Sequence, residues 1–221
     1  MMDIMKRALL SLHDKTRSCE LASFLTHRGY NLISSGGTYQ HLTKNGVENI
    51  KKVDEITEFP EILGGRVKTL HPKIFGGLLS DVYNNEHSQD MSNHGISKIN
   101  ILIANLYPFQ DTVRKTNIIN TIIENIDIGG HALIRAAAKN YRDTIILHSP
   151  EQYDMFMNDF QRITESTDRR RELAMQAFNY VAEYDMAVSN YFNEFTGHKK
   201  TYHSFTESHK LKYGSNPQQK T

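Results

Sequence analysis

The feature that most constrains the fold is the alternation of short apolar runs with amphipathic segments over the first 150 residues. The pattern predicts strands at 7–12, 30–34, 47–53, 99–109 and 143–149, and helices at 17–29, 38–46, 116–126 and 131–140. Strands separated by helices pair in parallel through right-handed crossovers, and continuous apolar strands fit a sheet that is covered on both faces. We therefore expect an α/β domain with a central parallel sheet over residues 1–150.

The remainder of the chain is first helical and then polar. Residues 150–163 and 166–195 have helical patterns, and Ser166 or Thr167 can cap the second helix. We assign residues 151–195 to a helical extension of the same domain. Residues 196–221 are rich in His, Ser and Lys and lack periodicity, which is typical of a linker or tail.

Composition excludes several classes of protein. The chain has 221 residues and a formal net charge of +1, so no global field attracts nucleic acid or a membrane surface. Its one cysteine, Cys19, excludes an internal disulfide and is expected to fill the core. We find no apolar run long enough for a membrane span and no signal peptide, and we expect a cytoplasmic protein. The 11 histidines lack ligand spacing and predict no metal site.

A cationic segment flanked by glycine pairs, "EILGGRVKTLHPKIFGGLLSD" at 61–81, is unusual. Glycine pairs are costly in a packed helix or central strand, so we predict a loop. Arg66 can bind a phosphate through two hydrogen bonds, and Lys68 can reach a second oxygen or a reacting centre. The alternative is a solvated basic loop. The glycines and the scarcity of compensating acids favour anion binding.

Other polar motifs follow the predicted strands, where parallel α/β sheets bind their ligands. Lys15 follows the first strand, and "SSGGT" at 34–38 follows the second; it is either a phosphate cradle at a helix amino terminus or only a tight turn. Tyr107 in "NLYPF" could simply cover the core, and Asp127 in "IDIGG" could simply cap a helix. Lys139 could merely compensate a helix dipole.

Taken in order, "SSGGT", "GGRVKTLHPKIFGGLLSD", "NLYPF" and "IDIGGHALIRAAAKN" resemble the amino-terminal domain of the PurH family. These bifunctional enzymes of purine biosynthesis couple AICAR transformylase to IMP cyclohydrolase. The resemblance runs from about residue 7 to the end and implies a methylglyoxal-synthase-like three-layer sandwich. The segment "LKYGSNPQQK" at 211–220 resembles the first motif of the transformylase domain. The sequence contains only this first motif of that domain, so we expect this chain to lack transformylase activity.

The resemblance implies ring closure of formyl-AICAR to IMP with loss of water, without metal or cofactor. The family's catalytic residues match Lys68, Tyr107, Asp127 and Lys139. We expect Lys68 and Tyr107 to polarise the formyl oxygen, Asp127 to orient the carboxamide and pair with Lys139, and Lys139 to shuttle a proton. The positions that match nucleotide contacts are Lys15, Ser35, Gly36, Gly37, Thr38, Arg66, Thr69, Ala104, Asn105 and Gly129. The resemblance also implies a homodimer in the full-length family.

Four positions depart from the family pattern, and none of them removes a catalytic residue. They are His13, where serine is usual, Phe75, His131 and Lys212. His13 puts one substrate contact in question. Two rival functions stay open at this point: a non-catalytic nucleotide-binding module, and a methylglyoxal synthase. The four catalytic residues argue against the first, and the lack of a Gly-Asp-Pro motif argues against the second.

Overall fold

A five-stranded, all-parallel sheet forms the centre of the computed structural model, which describes residues 6–197 and 199–205. The strand order is β3-β2-β1-β4-β5. The strands are β1 (Arg7–Ser11), β2 (Asn31–Ser34), β3 (Ile50–Lys52), β4 (Ile101–Ala104) and β5 (Ile145–Leu147). Leu9 of β1 pairs with Ile33 on one side and with Leu102 on the other. The predicted parallel α/β fold is therefore confirmed.

Helices cover both faces of this sheet and give a three-layer architecture. Helix α1 contacts α2 and α9, helix α8 contacts α4 and α11, and α11 also packs on β5. The helices are α1 (Ser18–His27), α2 (Gly36–Lys44), α3 (Val53–Thr57), α4 (Pro72–Leu79), α5 (Asn85–Asn93), α6 (Phe109–Lys115), α7 (Ile119–Glu124), α8 (Gly129–Lys139), α9 (Tyr153–Asn158), α10 (Phe160–Glu165) and α11 (Thr167–Phe195), with 3₁₀ turns at Leu63–Gly65 and Pro150–Gln152.

Burial explains where the strands begin and end. All four residues of β4 are buried, as expected for a strand covered on both faces. The predicted strand 99–109 is too long, because Asn105 leaves the sheet and Phe109 already begins α6. The predicted strand 47–53 shrinks to the three residues of β3, whose two lysines are exposed at the sheet edge.

The glycine-rich segment is partly helical, and the prediction of a loop throughout 61–81 is wrong. Helix α4 contains the Gly76–Gly77 pair. A Cβ atom on Gly77 would lie 2.6 Å from the carbonyl oxygen of Ser97, and one on Gly76 would lie 2.9 Å from a methyl group of Ile96. These glycines therefore let α4 pack directly against the segment that leads into β4.

Helix α11 begins and packs as its sequence pattern indicates. The Ser166 hydroxyl accepts a hydrogen bond from the Arg169 N–H at 3.3 Å, which confirms the predicted cap. Leu173, Ala177 and Val181 are buried against the core. The predicted helix 150–163 is divided between a 3₁₀ turn, α9 and α10, and the predicted helix 116–126 contains only α7. Helices α3, α5 and α6 were not predicted. The linker expected at 196–221 lies largely outside the described residues.

Candidate active site

The carboxyl ends of β1 and β4 form the topological switch point of the sheet. From β1 the chain continues toward β2 and β3, whereas β4 and β5 lie on the opposite side. Loops that leave two such neighbouring strands separate and open a crevice, which is the usual ligand site in open α/β sheets. Most of the predicted site residues lie around this crevice.

Two of the predicted substrate-binding side chains fasten the loop that follows β1. The Thr38 hydroxyl exchanges hydrogen bonds of 3.0 Å with the backbone N–H and carbonyl of Leu12. The Asn105 side-chain oxygen accepts from the N–H groups of His13 and Asp14 at 2.8 and 2.9 Å. Both side chains are buried. Their substrate contacts stay predictions, whereas their role in shaping the loop is observed.

A cleft of about 180 Å³ lies beside the first turn of α2 and contains Lys68. The Lys68 ammonium lies 3.8 Å from the place where a Cβ atom of Gly36 would stand. Ser35 precedes the helix, and within the described residues its side chain accepts no capping hydrogen bond from the helix. Gly37 has open space beside it. The start of α2 and the Lys68 ammonium therefore line one cleft, a combination that suits an anion. The carboxylates of Asp54 and Glu61 line the same cleft, so an anion would have to compete with them.

Asp127 lies in a partly buried position before α8. Its carboxylate accepts a hydrogen bond from the Gly130 N–H at 2.7 Å. Burial raises the pKa of the Asp127 carboxyl, and hydrogen bonds from the Gly130 and Tyr107 backbones and the charges of Lys68 and His131 offset this only in part. A carboxylate with a raised pKa, close to a lysine, can accept a proton during a reaction.

Tyr107 projects from the loop after β4, and its side chain is 42% exposed. Its ring packs on the imidazole of His13, with centroids 4.8 Å apart. Lys15 donates a hydrogen bond to the carbonyl of His13 at 3.1 Å. Burial and the Lys15 charge lower the pKa of His13, which keeps the ring neutral near pH 7. The departure at position 13 thus places an aromatic partner against Tyr107.

Thr69, another predicted substrate-binding residue, lies close to the amino terminus of α8. A Cβ atom on Gly129 would stand 3.0 Å from the hydroxyl of Thr69, which is itself buried. Ala104 is the last residue of β4 and is fully buried, so only its main chain is available at the edge. The predicted positions Thr69, Ala104 and Gly129 therefore shape the crevice through backbone and packing.

Arg66 is not a free cation in this structure. Its guanidinium forms an ion pair with Glu124 at the end of α7 through two hydrogen bonds. Glu61 lines the cleft that contains Lys68. The segment itself has few acids, as its sequence indicates, but Glu124 compensates the charge of Arg66 from a helix far along the sequence. A phosphate would have to replace Glu124 to bind Arg66.

Lys139 is the one predicted catalytic residue that lies away from the crevice. It is exposed and ends α8, whereas Asp127 precedes the same helix. Eleven residues of helix span about 16 Å, so the predicted pairing of Lys139 with Asp127 within the chain is wrong. Its catalytic role stays a prediction that rests on the resemblance alone.

Several residues with contacts in or near the site were not predicted from the sequence. Glu61 and Glu124 have no local signal in the sequence. The helical pattern of 166–195 indicates an apolar face that includes Tyr180 and Tyr184, but it does not indicate where their hydroxyls point. Cys19 has a partner, since its sulfur lies 3.4 Å from a ring nitrogen of His41. Within residues 6–197 and 199–205, no three His, Cys, Asp or Glu side chains converge in a way that could hold a metal ion. No helix of the same described ranges is long and apolar enough to cross a membrane.

The parallel sheet and the crevice at its carboxyl edge agree with the comparisons with known proteins. Residues 17–132 match the model of the MGS-like domain, and the chain belongs to that family. Residues 137–221 match the model of the AICARFT/IMPCHase bienzyme. The chain is also similar to a crystal structure of ForH, with a TM-score of 0.74, 30% identity, and coverage of 85% of this chain and 99% of that one.

The relatives confirm the resemblance that the sequence motifs indicate. The chain is 47% identical over 220 residues to the bifunctional purine biosynthesis protein PurH of Leptospira biflexa. It is 44% identical to PurH of Persephonella marina and 41% identical to PurH of Bacillus subtilis. Each alignment covers 97% of this chain, but the chain spans only 42–43% of the length of these relatives.

Proposed function

We propose that this chain is an IMP cyclohydrolase, which closes formyl-AICAR to IMP and releases water. The observation that carries the proposal is the position of Lys68. Its ammonium lies beside the first turn of α2, and its charge also acts on Asp127 across the crevice. Lys68 can therefore face the formyl oxygen of formyl-AICAR while the phosphate at the other end of the substrate lies in the cleft beside α2. The similarity to PurH supports the same reaction.

The proposed reaction divides between a binding half and a chemical half of the crevice. The 5′-phosphate and ribose occupy the cleft beside α2, where Ser35, Gly36 and Gly37 supply donors and Arg66 exchanges Glu124 for the phosphate. About 180 Å³ is less than the roughly 300–1,000 Å³ of typical small-molecule sites, so the base extends beyond the cleft toward Tyr107.

In the chemical half, the carboxamide nitrogen attacks the formyl carbon and loses a proton. Lys68 and Tyr107 stabilise the negative charge that develops on the formyl oxygen. Asp127 orients the carboxamide and accepts its proton, a role that its raised pKa supports. The formyl oxygen then takes up two protons and leaves as water. One is the proton that Asp127 accepted, and the other comes from the formamide N–H, whose nitrogen forms the new C=N double bond. The roles of the substrate-binding positions named from the resemblance belong to this proposal as well.

The test is to follow ring closure by ultraviolet absorbance with purified protein and formyl-AICAR, without added metal. Lys68→Met should lower kcat by about 10²- to 10³-fold, the range for a lost oxyanion contact. Lys73→Met is the matched control, because Lys73 comes from the same segment but pairs with Glu58 at 2.6 Å. A folded wild-type protein that is no faster than buffer would instead favour a nucleotide-binding module.

We further propose that the homodimer, which the resemblance implies for the full-length family, also forms in this chain, and that the chain acts in the cytoplasm on a small nucleotide. The similarity to PurH supports the nucleotide substrate, and the net charge of +1 gives no reason to expect nucleic acid as a partner. Sedimentation velocity over a range of concentrations tests the dimer. A single monomeric species at every concentration would contradict it.

A further inference from the structure

Two tyrosine hydroxyls on α11 hold the main chain of two loops in the candidate site. Tyr180 and Tyr184 are one helical turn apart, so they share a face of the helix. One contacts the loop after β4 and the other contacts the loop before α8. Both side chains are half-buried, so water competes less for these hydrogen bonds than it would at the surface.

The Tyr184 hydroxyl fixes the backbone of Asp127. It accepts a hydrogen bond from the Asp127 N–H at 2.7 Å and donates one to the Asn125 carbonyl at 3.2 Å. The start of α8 is tied to the same helix by a contact of 3.0 Å between His131 and Asp185. The loop that carries Asp127 is therefore anchored to α11 on both sides of the carboxylate.

The Tyr180 hydroxyl fixes the loop that carries Tyr107. It accepts a hydrogen bond at 3.0 Å from the N–H of Leu106, the residue before Tyr107. The Tyr180 ring is stacked on His148, with centroids 4.8 Å apart and planes 18° apart. The backbone N–H of the next residue, Tyr107, interacts with the Asp127 carboxylate and acts to lower its pKa. Tyr180 and Tyr184 therefore hold the two loops that carry Tyr107 and Asp127, the proposed catalytic pair.

We propose that Tyr180 and Tyr184 are positioning residues for ring closure, which hold Tyr107 and the Asp127 carboxylate in a fixed relation to each other. The inference rests on the proposed function and deepens it. Helix α11 lies wholly inside the range that matches the bienzyme model and outside the range that matches the MGS-like domain. The tyrosines that anchor the Asp127 loop therefore lie outside residues 17–132, the range that matches the MGS-like domain.

The charge state of Asp127 reports on this constraint, because the fixed loop keeps the carboxylate from water. The groups that act on it come from four elements: Lys68 before α4, His13 after β1, His131 on α8, and Tyr180 and Tyr184 on α11. Loss of a tyrosine hydroxyl leaves Lys68, His13 and His131 in place. A looser loop should instead admit water and lower the pKa of Asp127 toward its ordinary value.

The experiment compares Tyr180→Phe and Tyr184→Phe with the control Tyr191→Phe in the full chain. Tyr191 lies on the same helix, and its ring packs on Phe109 while its hydroxyl has no hydrogen-bond partner within the described residues. We expect each test variant to lower kcat by about 5- to 150-fold, the effect of leaving one backbone N–H unpaired, and to change KM by less than about twofold. The acid limb of the pH profile should move to lower pH, and the control should match the wild type.

A second readout does not depend on activity. The pKa of Asp127 can be measured by carbon-13 NMR of its carboxyl group in the ligand-free protein, and it should fall in Tyr184→Phe but not in Tyr191→Phe. An unchanged pKa together with an unchanged kcat would overturn the inference, and so would equal effects in the control. Complete inactivity of the wild type would reject the proposed function, and the NMR titration would then decide the positioning role alone.

Discussion

Replacing Asp127 with asparagine should separate the activity of this protein from its stability. The Asp127→Asn side chain has nearly the same shape, and its oxygen can still accept the hydrogen bond from the Gly130 N–H. The substitution removes the negative charge that burial disfavours, as the raised pKa of Asp127 indicates. We therefore expect a less active and more stable protein.

The two effects differ in size because they have different origins. Loss of acid–base catalysis lowers kcat by about 10²-fold or more. The gain in stability is smaller, because the hydrogen bonds from Gly130 and Tyr107 weaken when their acceptor loses its charge, by about 1 kcal/mol each. Burial outweighs these bonds, since it is the largest cause of the pKa shift and sets its sign. We therefore expect a net gain in stability at neutral pH.

Urea unfolding as a function of pH measures this gain and gives its sign. Asp127 is protonated in both states below its ordinary pKa of 3.8, so wild type and variant should then be equally stable. As the pH rises through the raised pKa of the folded state, the wild type loses stability that the variant keeps. The difference in the free energy of unfolding should therefore grow toward neutral pH. A variant that is less stable at neutral pH, or a difference independent of pH, would refute the argument.

Three further predictions concern Arg66, Gly77 and Lys139. In binding calorimetry, Arg66→Ala should weaken the binding of IMP by about 10- to 100-fold but barely affect the binding of inosine, which has no phosphate. Glu124→Gln should tighten the binding of IMP by up to about fivefold, because it frees Arg66. Equal losses for IMP and inosine in Arg66→Ala would exclude a phosphate contact. Gly77→Ala should lower the free energy of unfolding by about 1–2 kcal/mol in urea, because a Cβ atom 2.6 Å from Ser97 outweighs the gain in helix propensity; unchanged stability would contradict this. The effects of Lys139→Arg and Asp127→Asn on the free energy of unfolding should add to within about 0.5 kcal/mol in the double variant. A larger coupling would indicate that Lys139 and Asp127 form a direct pair.

The sheet could be predicted because its signals are local. Each strand is a short apolar run followed by a polar turn, and parallel pairing follows from the intervening helices. The limits of the strands could not be predicted in the same way. Residues 99–109 are apolar almost throughout, but Asn105 leaves the sheet because its side chain binds the loop after β1. That partner is 92 residues away in the sequence, and no local pattern reports it.

The glycines of the cationic segment show how one residue type serves two purposes. The Gly64–Gly65 pair lies in a 3₁₀ turn with positive φ angles of 63° and 93°, as expected for a loop. The Gly76–Gly77 pair lies in a helix and is required by the close approach of another segment. Composition alone cannot distinguish conformational freedom from close packing, because both favour the residue without a side chain. Only the neighbouring chain decides between the two.

The tyrosines of α11 mark the limit of prediction for the candidate site itself. The spacing of Tyr180, Tyr184 and Val188 indicates an apolar helix face, and the rings of both tyrosines do pack against the core. A periodic pattern reports which face is buried but not where a hydroxyl at the end of a ring points. Those hydroxyls bind Leu106 and Asp127, which are 74 and 57 residues away in the sequence. The catalytic pair is therefore set by two tyrosines whose ring positions the sequence predicted and whose hydrogen-bond partners only the fold supplies.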